Sequence, residues 1–278
     1  LAKWQGRWVG LWGGVLFAVH PIQTQAVNYI SSRSVSLSAG GVLLAMCMVA
    51  YGQRRLLSVA SYAFALLAKS TAIVLLPLLL LYRRSNITSA RSTWFHLPFW
   101  STTLVYLLVI WTNEFLPKSL AQEVRPWTAQ WATQAKGLVF YAKLLLVPIG
   151  QSVEHAFVES VGFGEPAVLA ALALLGSVAF LACRSLRARK PVALGTVWFL
   201  ACMVPTFLVP LNVLVSEHRL YLASVGLLLV ILGTVWLCSG RQRTRLLAPA
   251  LVLLGLWSVL SVQRNSIWSD EYTLWSDA

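Results

Sequence analysis

The chain alternates between long apolar runs and short polar stretches, and this pattern is its strongest sequence signal. Nine runs have helical length, at about 8–20, 34–51, 56–68, 71–82, 97–111, 166–183, 191–209, 220–238 and 246–262. A helix needs about 20 apolar residues to cross a hydrocarbon core of about 30 Å, and the runs lack the alternation of barrel strands. The pattern predicts an all-α, polytopic membrane helix bundle.

Two segments leave the number of crossings open. Lys69 interrupts the apolar stretch from Leu56 to Tyr82, which is therefore either one long helix or two short helices. A weaker, amphipathic segment covers 136–149.

The distribution of charge decides between these alternatives. Charged residues make up 11% of the chain, against 58% hydrophobic residues and a net charge of +13. With two crossings at Leu56–Tyr82 and none at 136–149, fourteen of the 22 basic residues and no acid fall in one set of loops, at 1–7, 52–55, 83–96, 184–190 and 239–245. The other loops hold eight basic residues and all nine acids, at 21–33, 69–70, 112–165, 210–219 and 263–278.

Acid-free, basic loops are typical of the cytoplasmic side of a membrane. The sorting therefore predicts about nine crossings of the inner (cytoplasmic) membrane, with the N-terminus of the chain cytoplasmic and its C-terminus exoplasmic. The segment 136–149 becomes a re-entrant or interfacial helix on the outer side. Because topology accounts for the positive charge, the net charge of +13 does not predict a nucleic-acid partner.

This topology brings many polar side chains to the exoplasmic face. They are His20, Gln25, Arg33, Lys69, Glu154, His155, Glu217, His218 and Arg219. Ionisable groups at such a depth pair with one another or line a functional site. Local ion pairing of Glu217 with its neighbours, and snorkelling of Arg33 and Lys69 from helix ends, are the purely structural alternatives.

Four short motifs carry a family resemblance across most of the chain. They are HPIQTQAVNYISSR from His20, AKST around Lys69, SEHRLYLASVG from Ser216, and RNSIWSDEYTLWSDA at the C-terminus. In content and order they resemble the membrane half of the transmembrane-and-tetratricopeptide O-mannosyltransferases and their bacterial relatives, which are glycosyltransferases of the GT-C fold. The resemblance predicts a membrane bundle over 1–262 and an exoplasmic tail, 263–278, leading towards a tetratricopeptide region.

The resemblance implies sugar transfer from a polyprenyl-phosphate donor on the exoplasmic face. It makes Arg219 and His218, with Arg33 and Lys69, candidates for binding the lipid phosphate, because guanidinium and ammonium groups neutralise phosphate charge. Glu217, His20, Gln25 and His155 are supporting candidates, Glu217 as the residue that orients Arg219. The implied ligand is a polyprenyl-phosphate lipid, and the sequence contains no metal-ligand spacing.

Two departures from the family leave a second hypothesis open. Gln25 and Ser70 stand where these enzymes usually carry glutamate, and the family's catalytic acid would lie in a loop upstream of Leu1. An amide or a hydroxyl does not replace a carboxylate as general base. The chain is therefore either part of a glycosyltransferase or a catalytically silent subunit of a larger membrane complex that retains a lipid-phosphate site.

Overall fold

A computed structural model of the chain describes residues 6–52, 54–85, 95–114, 117–118, 124–185, 190–210, 212–239 and 247–277. These residues form helices and connecting loops, with no β-strand among them. The α-helices are α1 Arg7–Val19, α2 Gln23–Asn28, α3 Arg33–Ala50, α4 Arg55–Ala68, α5 Leu75–Ser85, α6 Leu97–Thr112, α7 Trp127–Leu146, α8 Pro166–Ser185, α9 Lys190–Leu208, α10 Leu220–Ser239, α11 Leu247–Ile267 and α12 Glu271–Ser276. Short 3-10 helices cover Ile30–Ser32, Ser70–Val74 and Glu217–Arg219.

The prediction of an all-α fold is confirmed for this part of the chain. Each of the nine apolar runs forms a helix. Four helical segments are long and apolar enough to cross a membrane, namely Ile30–Ala50, Pro191–Leu208, Glu217–Trp236 and Ala248–Ile267. Five further apolar helices are shorter, namely Arg7–Val19, Arg55–Ala68, Ser70–Tyr82, Leu97–Thr112 and Pro166–Leu181. These spans are compatible with a multi-helix membrane protein, and nine crossings remain a prediction.

The helical break predicted at Lys69 is present. Lys69 has an extended backbone, with φ of −160° and ψ of 133°, and separates α4 from the 3-10 helix Ser70–Val74. Its N–H donates to the carbonyl of Ala65, and its carbonyl accepts from the N–H of Ala72. The backbone polar groups of Lys69 are thus satisfied although the α-helix stops there.

Helix α7 differs from the predicted segment 136–149. It begins nine residues earlier, at Trp127, and ends at Leu146. Its first half carries buried polar side chains that bond to the backbone of the last turn of α9 and of the loop after α7. Gln130 donates to the carbonyl of Thr206 at 2.6 Å, and Thr133 accepts from the N–H of Ser160 at 2.9 Å. Hydropathy alone missed this half because its buried face is polar.

Helix α10 is at the centre of the described packing. Its residues contribute to three apolar clusters: Leu222 and Leu229 pack with α3 to α6 and α9, Leu220 and Ala223 with α7 and α9, and Leu228 with α1 and α11. Burial on several sides explains why α10 is apolar around its whole circumference. The 3-10 helix Glu217–Arg219, which directly precedes α10, is therefore attached to the best-packed helix.

Helix α11 continues to Ile267, beyond the apolar run that ends near residue 262. Arg264, which is buried, forms an ion pair with Asp277 and so ties the tail back to α11. Asp270 caps α12 by accepting from the N–H of Thr273 at 3.1 Å. Part of each predicted cytoplasmic loop lies outside the described residues, namely 1–5, 53, 86–94, 186–189 and 240–245.

Candidate functional site

The loop before α10 turns three consecutive polar side chains in different directions. Ser216 is extended, with φ of −149° and ψ of 132°, and Glu217–Arg219 then forms one 3-10 turn. Side chains in a 3-10 helix are about 120° apart, since three residues complete a turn. Glu217, His218 and Arg219 therefore contact different neighbours rather than each other.

Glu217 is fully buried and points towards the loop that follows α7. One carboxylate oxygen, Oε1, accepts from the backbone N–H of Ser152 at 2.8 Å and from His155 Nε2 at 3.0 Å. The His155 ring lies edge-on to Phe140, with 5.0 Å between the ring centroids. Glu217 thus anchors the loop at 152–155. The sequence suggested that Glu217 orients Arg219, but the two side chains have separate partners.

Gln25 connects three separate segments of the chain. Its Nε2 donates to the carbonyl of Val153 at 3.1 Å, and its Oε1 accepts from the backbone N–H of His218 at 2.6 Å. The same oxygen lies 3.2 Å from the hydroxyl of Ser216. The Val153 carbonyl can only accept a hydrogen bond, and the His218 N–H can only donate one. These two partners therefore determine which end of the Gln25 amide is oxygen. Gln25 therefore acts as a neutral link in which both a donor and an acceptor are used.

Arg219 is oriented by backbone carbonyls of its own loop. Its Nη1 donates to the carbonyl of Leu214 at 3.0 Å and its Nη2 to that of Val213 at 2.8 Å. The hydroxyl of the buried Tyr141 is close to Arg219 and accepts from the N–H of Ser216 at 2.9 Å. A guanidinium has five N–H hydrogens, so these bonds leave donors for a further ligand.

Lys69 is brought close to this loop by the break between α4 and the following 3-10 helix. Burial, and then the positive charge of Arg219, lower the pKa of the Lys69 ammonium. His218 also lies within electrostatic range of both cations. Among the described residues, no carboxylate or carbonyl accepts a hydrogen bond from Lys69 Nζ. Lys69 and Arg219 thus lie within electrostatic range of each other, and no carboxylate among the described residues forms an ion pair with either.

His20 forms a separate, closely packed contact. Its Nε2 donates to the carbonyl of Leu145 at 2.9 Å, and its Nδ1 accepts from the N–H of Ile22 at 3.1 Å. The ring packs on Trp257, with centroids 4.2 Å apart. Burial lowers the His20 pKa from 6.5 to about 4, against a smaller opposing effect of the Leu145 hydrogen bond. His20 therefore holds α1, α7 and α11 together as a neutral imidazole.

Arg33 and Ser70 are exposed. Arg33 is the first residue of α3, and no contact within the described part of the chain joins it to Lys69 or Arg219. The Ser70 hydroxyl interacts with Tyr106. Of the residues selected from the sequence, the structure thus brings together Gln25, Lys69, His155, Glu217, His218 and Arg219, whereas His20 and Arg33 lie apart from this group.

The groups that connect the site carry no distinctive sequence signal. Ser216 and Tyr141 carry single hydroxyls, and Ser152 contributes a backbone N–H. Isolated serines and tyrosines have no distinguishing spacing, so only the fold reveals these roles. Within the described ranges, no three His, Cys, Asp or Glu side chains come together as a metal site would require. The arrangement offers cationic and neutral hydrogen-bonding groups for an anion.

Comparison with known proteins adds no family assignment: no family model, no curated protein and no solved structure matches this chain.

Proposed function

We propose that this protein binds the phosphate of a polyprenyl-phosphate lipid at Lys69 and Arg219, in a membrane bundle of the GT-C type. The observation that carries the proposal is that Lys69 lies within electrostatic range of Arg219, whose printed hydrogen bonds go to backbone carbonyls, while no described carboxylate forms an ion pair with either cation. The resemblance of the chain to glycosyltransferases that use such donors supplies the lipid class. The phosphate oxygens would lie between the ammonium and the unused guanidinium hydrogens.

Electrostatics supports an anionic ligand at this position. Lys69 is partly buried, and its charged form is disfavoured by burial and by Arg219. A desolvated cation is costly unless an opposite charge compensates it. Glu217 is the nearest acid along the sequence, but its Oε1 is used by Ser152 and His155. A lipid phosphate supplies the compensating charge through hydrogen bonds that are shorter and stronger than neutral ones.

The second candidate function is lipid binding without catalysis, in a subunit of a larger membrane complex. Gln25 favours it, because its Nε2 donates to the carbonyl of Val153. An ionised glutamate at position 25 would place a carboxylate oxygen, which can only accept, against the Val153 carbonyl, which also only accepts. The site is therefore adapted to a neutral side chain that can donate. Glu217 is engaged on one oxygen and fully buried, which also argues against a free general base.

Lipid affinity of the purified protein tests the phosphate site. We expect Lys69→Gln to weaken binding of polyprenyl phosphate, measured by native mass spectrometry, by about tenfold or more. One charge-assisted hydrogen bond contributes about 1.5–3 kcal/mol, and about 1.4 kcal/mol is a tenfold change. Arg219→Lys should retain part of the affinity, because a point charge replaces the planar fork of donors.

Lys143→Gln is the matched control, since Lys143 is an exposed lysine on α7. It should bind polyprenyl phosphate like the unmodified protein. Equal losses in the two lysine variants would refute a site at Lys69 and indicate nonspecific attraction to a basic protein. Incubation with a mannosyl-phosphoryl polyprenol then separates the two candidate functions: release or transfer of the sugar indicates an enzyme, and binding without turnover indicates the silent subunit.

A further inference from the structure

The hydroxyl of Ser216 lies between two groups that could each share its single hydrogen. Its Oγ is 3.2 Å from Gln25 Oε1 and 2.7 Å from His218 Nδ1. A hydroxyl has one hydrogen to donate and lone pairs to accept with. The direction of these two hydrogen bonds therefore determines which ring nitrogen of neutral His218 carries the proton.

Gln25 settles the direction. Its oxygen faces Ser216 because its Nε2 must donate to the Val153 carbonyl and its Oε1 must accept from the His218 N–H. An amide oxygen can only accept, so Ser216 gives its hydrogen to Gln25. The Ser216 oxygen must then accept from His218, which places a proton on Nδ1.

The opposite nitrogen of His218 is therefore left with a free lone pair. In neutral imidazole only one nitrogen is protonated, so Nε2 is a hydrogen-bond acceptor. Within the described part of the chain, Nε2 has no hydrogen-bond donor. Lys69 and Arg219 are close enough to the ring to act on it electrostatically. A neutral acceptor thus lies beside the two cations that would hold a phosphate.

We propose that His218 Nε2 accepts a hydrogen bond from a hydroxyl on the ligand whose phosphate binds at Lys69 and Arg219, which makes His218 the residue that selects a glycosylated lipid phosphate. The inference rests on the proposed phosphate site. A sugar attached to the phosphate would bring hydroxyls near His218, because the His218 ring lies within electrostatic range of both cations. A bare polyprenyl phosphate at pH of about 7.5 is largely dianionic, because its second pKa is about 6, and presents no hydroxyl to Nε2.

An asparagine at position 218 isolates the acceptor. In His218→Asn the side-chain NH₂ takes a place similar to Nδ1 and can still donate to Ser216, whereas nothing replaces Nε2. The purified protein is titrated at pH of about 7.5 with mannosyl-phosphoryl polyprenol and with polyprenyl phosphate. We expect the ratio of the affinity for the mannosylated lipid to the affinity for polyprenyl phosphate to be about five- to tenfold lower in His218→Asn than in the unmodified protein, a change typical of one neutral hydrogen bond. Comparing this ratio between the two proteins cancels the difference in charge between the two lipids. His218→Asn should keep its affinity for polyprenyl phosphate within about twofold.

An affinity ratio that is unchanged in His218→Asn overturns the inference while leaving the phosphate site intact. Failure of both lipids to bind the unmodified protein overturns the phosphate site and the preference with it. A measurement on the lipid-free protein is independent of both outcomes. Nitrogen-15 NMR of labelled histidine should show an unprotonated Nε2 at His218, and Ser216→Ala should weaken the bias towards this tautomer. A proton on Nε2 in the unmodified protein also overturns the inference.

Discussion

At the scale of single residues, the buried histidine His20 makes stability depend on pH. Both of its nitrogens are used by backbone groups, Nε2 by the Leu145 carbonyl and Nδ1 by the Ile22 N–H. A second proton on Nδ1 would face a donor, and burial already lowers the pKa from 6.5 to about 4. The unfolded chain therefore binds a proton below pH 6.5 that the folded chain binds only near pH 4.

We expect the free energy of unfolding to fall by about 2 kcal/mol between pH 7 and pH 5, because protons bound only by the unfolded state favour unfolding. The contribution is fully present above pH 6.5 and is lost as the pH approaches 4. Denaturation in detergent micelles at both pH values measures it. His20→Gln should be less stable at pH 7 but show a weaker pH dependence. His96→Gln, the control, should keep the dependence, and an unchanged slope in His20→Gln would contradict the assignment.

The sequence identified several site residues but not their contacts. Glu217, His218 and Arg219 could be selected because ionisable residues are rare beside apolar runs. Their partners depend on the 3-10 turn, which directs Glu217 to His155 and Arg219 to carbonyls of residues 213 and 214. Neither the turn nor the loop at 152–155 has a hydropathy signal. Residue type was thus predictable, whereas pairing was not.

At the scale of secondary-structure elements, α9 and α10 pack unusually close at two glycines. The helices run antiparallel, since Trp198 Nε1 donates to the Leu222 carbonyl while Gly233 lies against Pro191. A Cβ atom on Gly195 would lie 2.4 Å from the carbonyl oxygen of Gly226, and one on Gly226 would lie 2.6 Å from that of Gly195. Only glycine fits at these facing positions. The contact holds α10, and with it the loop of Glu217, against α9.

We expect Gly195→Ala to destabilise the protein by about 1–3 kcal/mol, because the added methyl group meets backbone that cannot move aside without separating the helices. Gly176→Ala in α8 is the matched control, since nothing lies within 4 Å of its added Cβ. It should be neutral or stabilising by up to about 1 kcal/mol, as alanine favours helix. Melting temperatures in the same detergent compare the two. Equal melting temperatures would show that α9 and α10 separate without cost.

Helix positions could be predicted much better than helix contacts. The nine apolar runs match observed helices, because bilayer-length hydrophobicity is a strong signal. The polar half of α7 was missed, since Gln130 and Thr133 are buried against backbone groups rather than exposed. The glycine contact between α9 and α10 was also missed. Gly41 likewise lies against Ala65 and the Ser61 carbonyl, where α3 meets α4, whereas a Cβ on Gly40 meets nothing within 4 Å.

At the scale of the whole molecule, the separation of charges between two sets of loops predicts the orientation in the membrane. Fourteen basic residues and no acid occupy one set, and all nine acids the other. The described site residues Gln25, Lys69, His155, Glu217 and Arg219 all belong to the second set. Their contacts in the fold support a common face, because a loop on the opposite side of a bilayer would be about 30 Å away. The orientation of that face is a separate question.

Cysteine labelling in intact cells tests the orientation. Single cysteines are introduced at Val161 and at Ser185 in a variant whose four native cysteines are replaced by alanine. Val161 lies in the loop between α7 and α8, with its side chain 89% exposed, and Ser185 is the last residue of α8. Ser185 belongs to the basic segment 184–190, which the positive-inside rule places in the cytoplasm. The same rule places Val161 on the outer side. An impermeant maleimide should therefore label Val161→Cys in intact cells and Ser185→Cys only after permeabilisation. The reverse pattern would invert the protein and place Lys69 and Arg219 at the cytoplasmic face, whereas labelling of both sites in intact cells would mean that α8 does not cross.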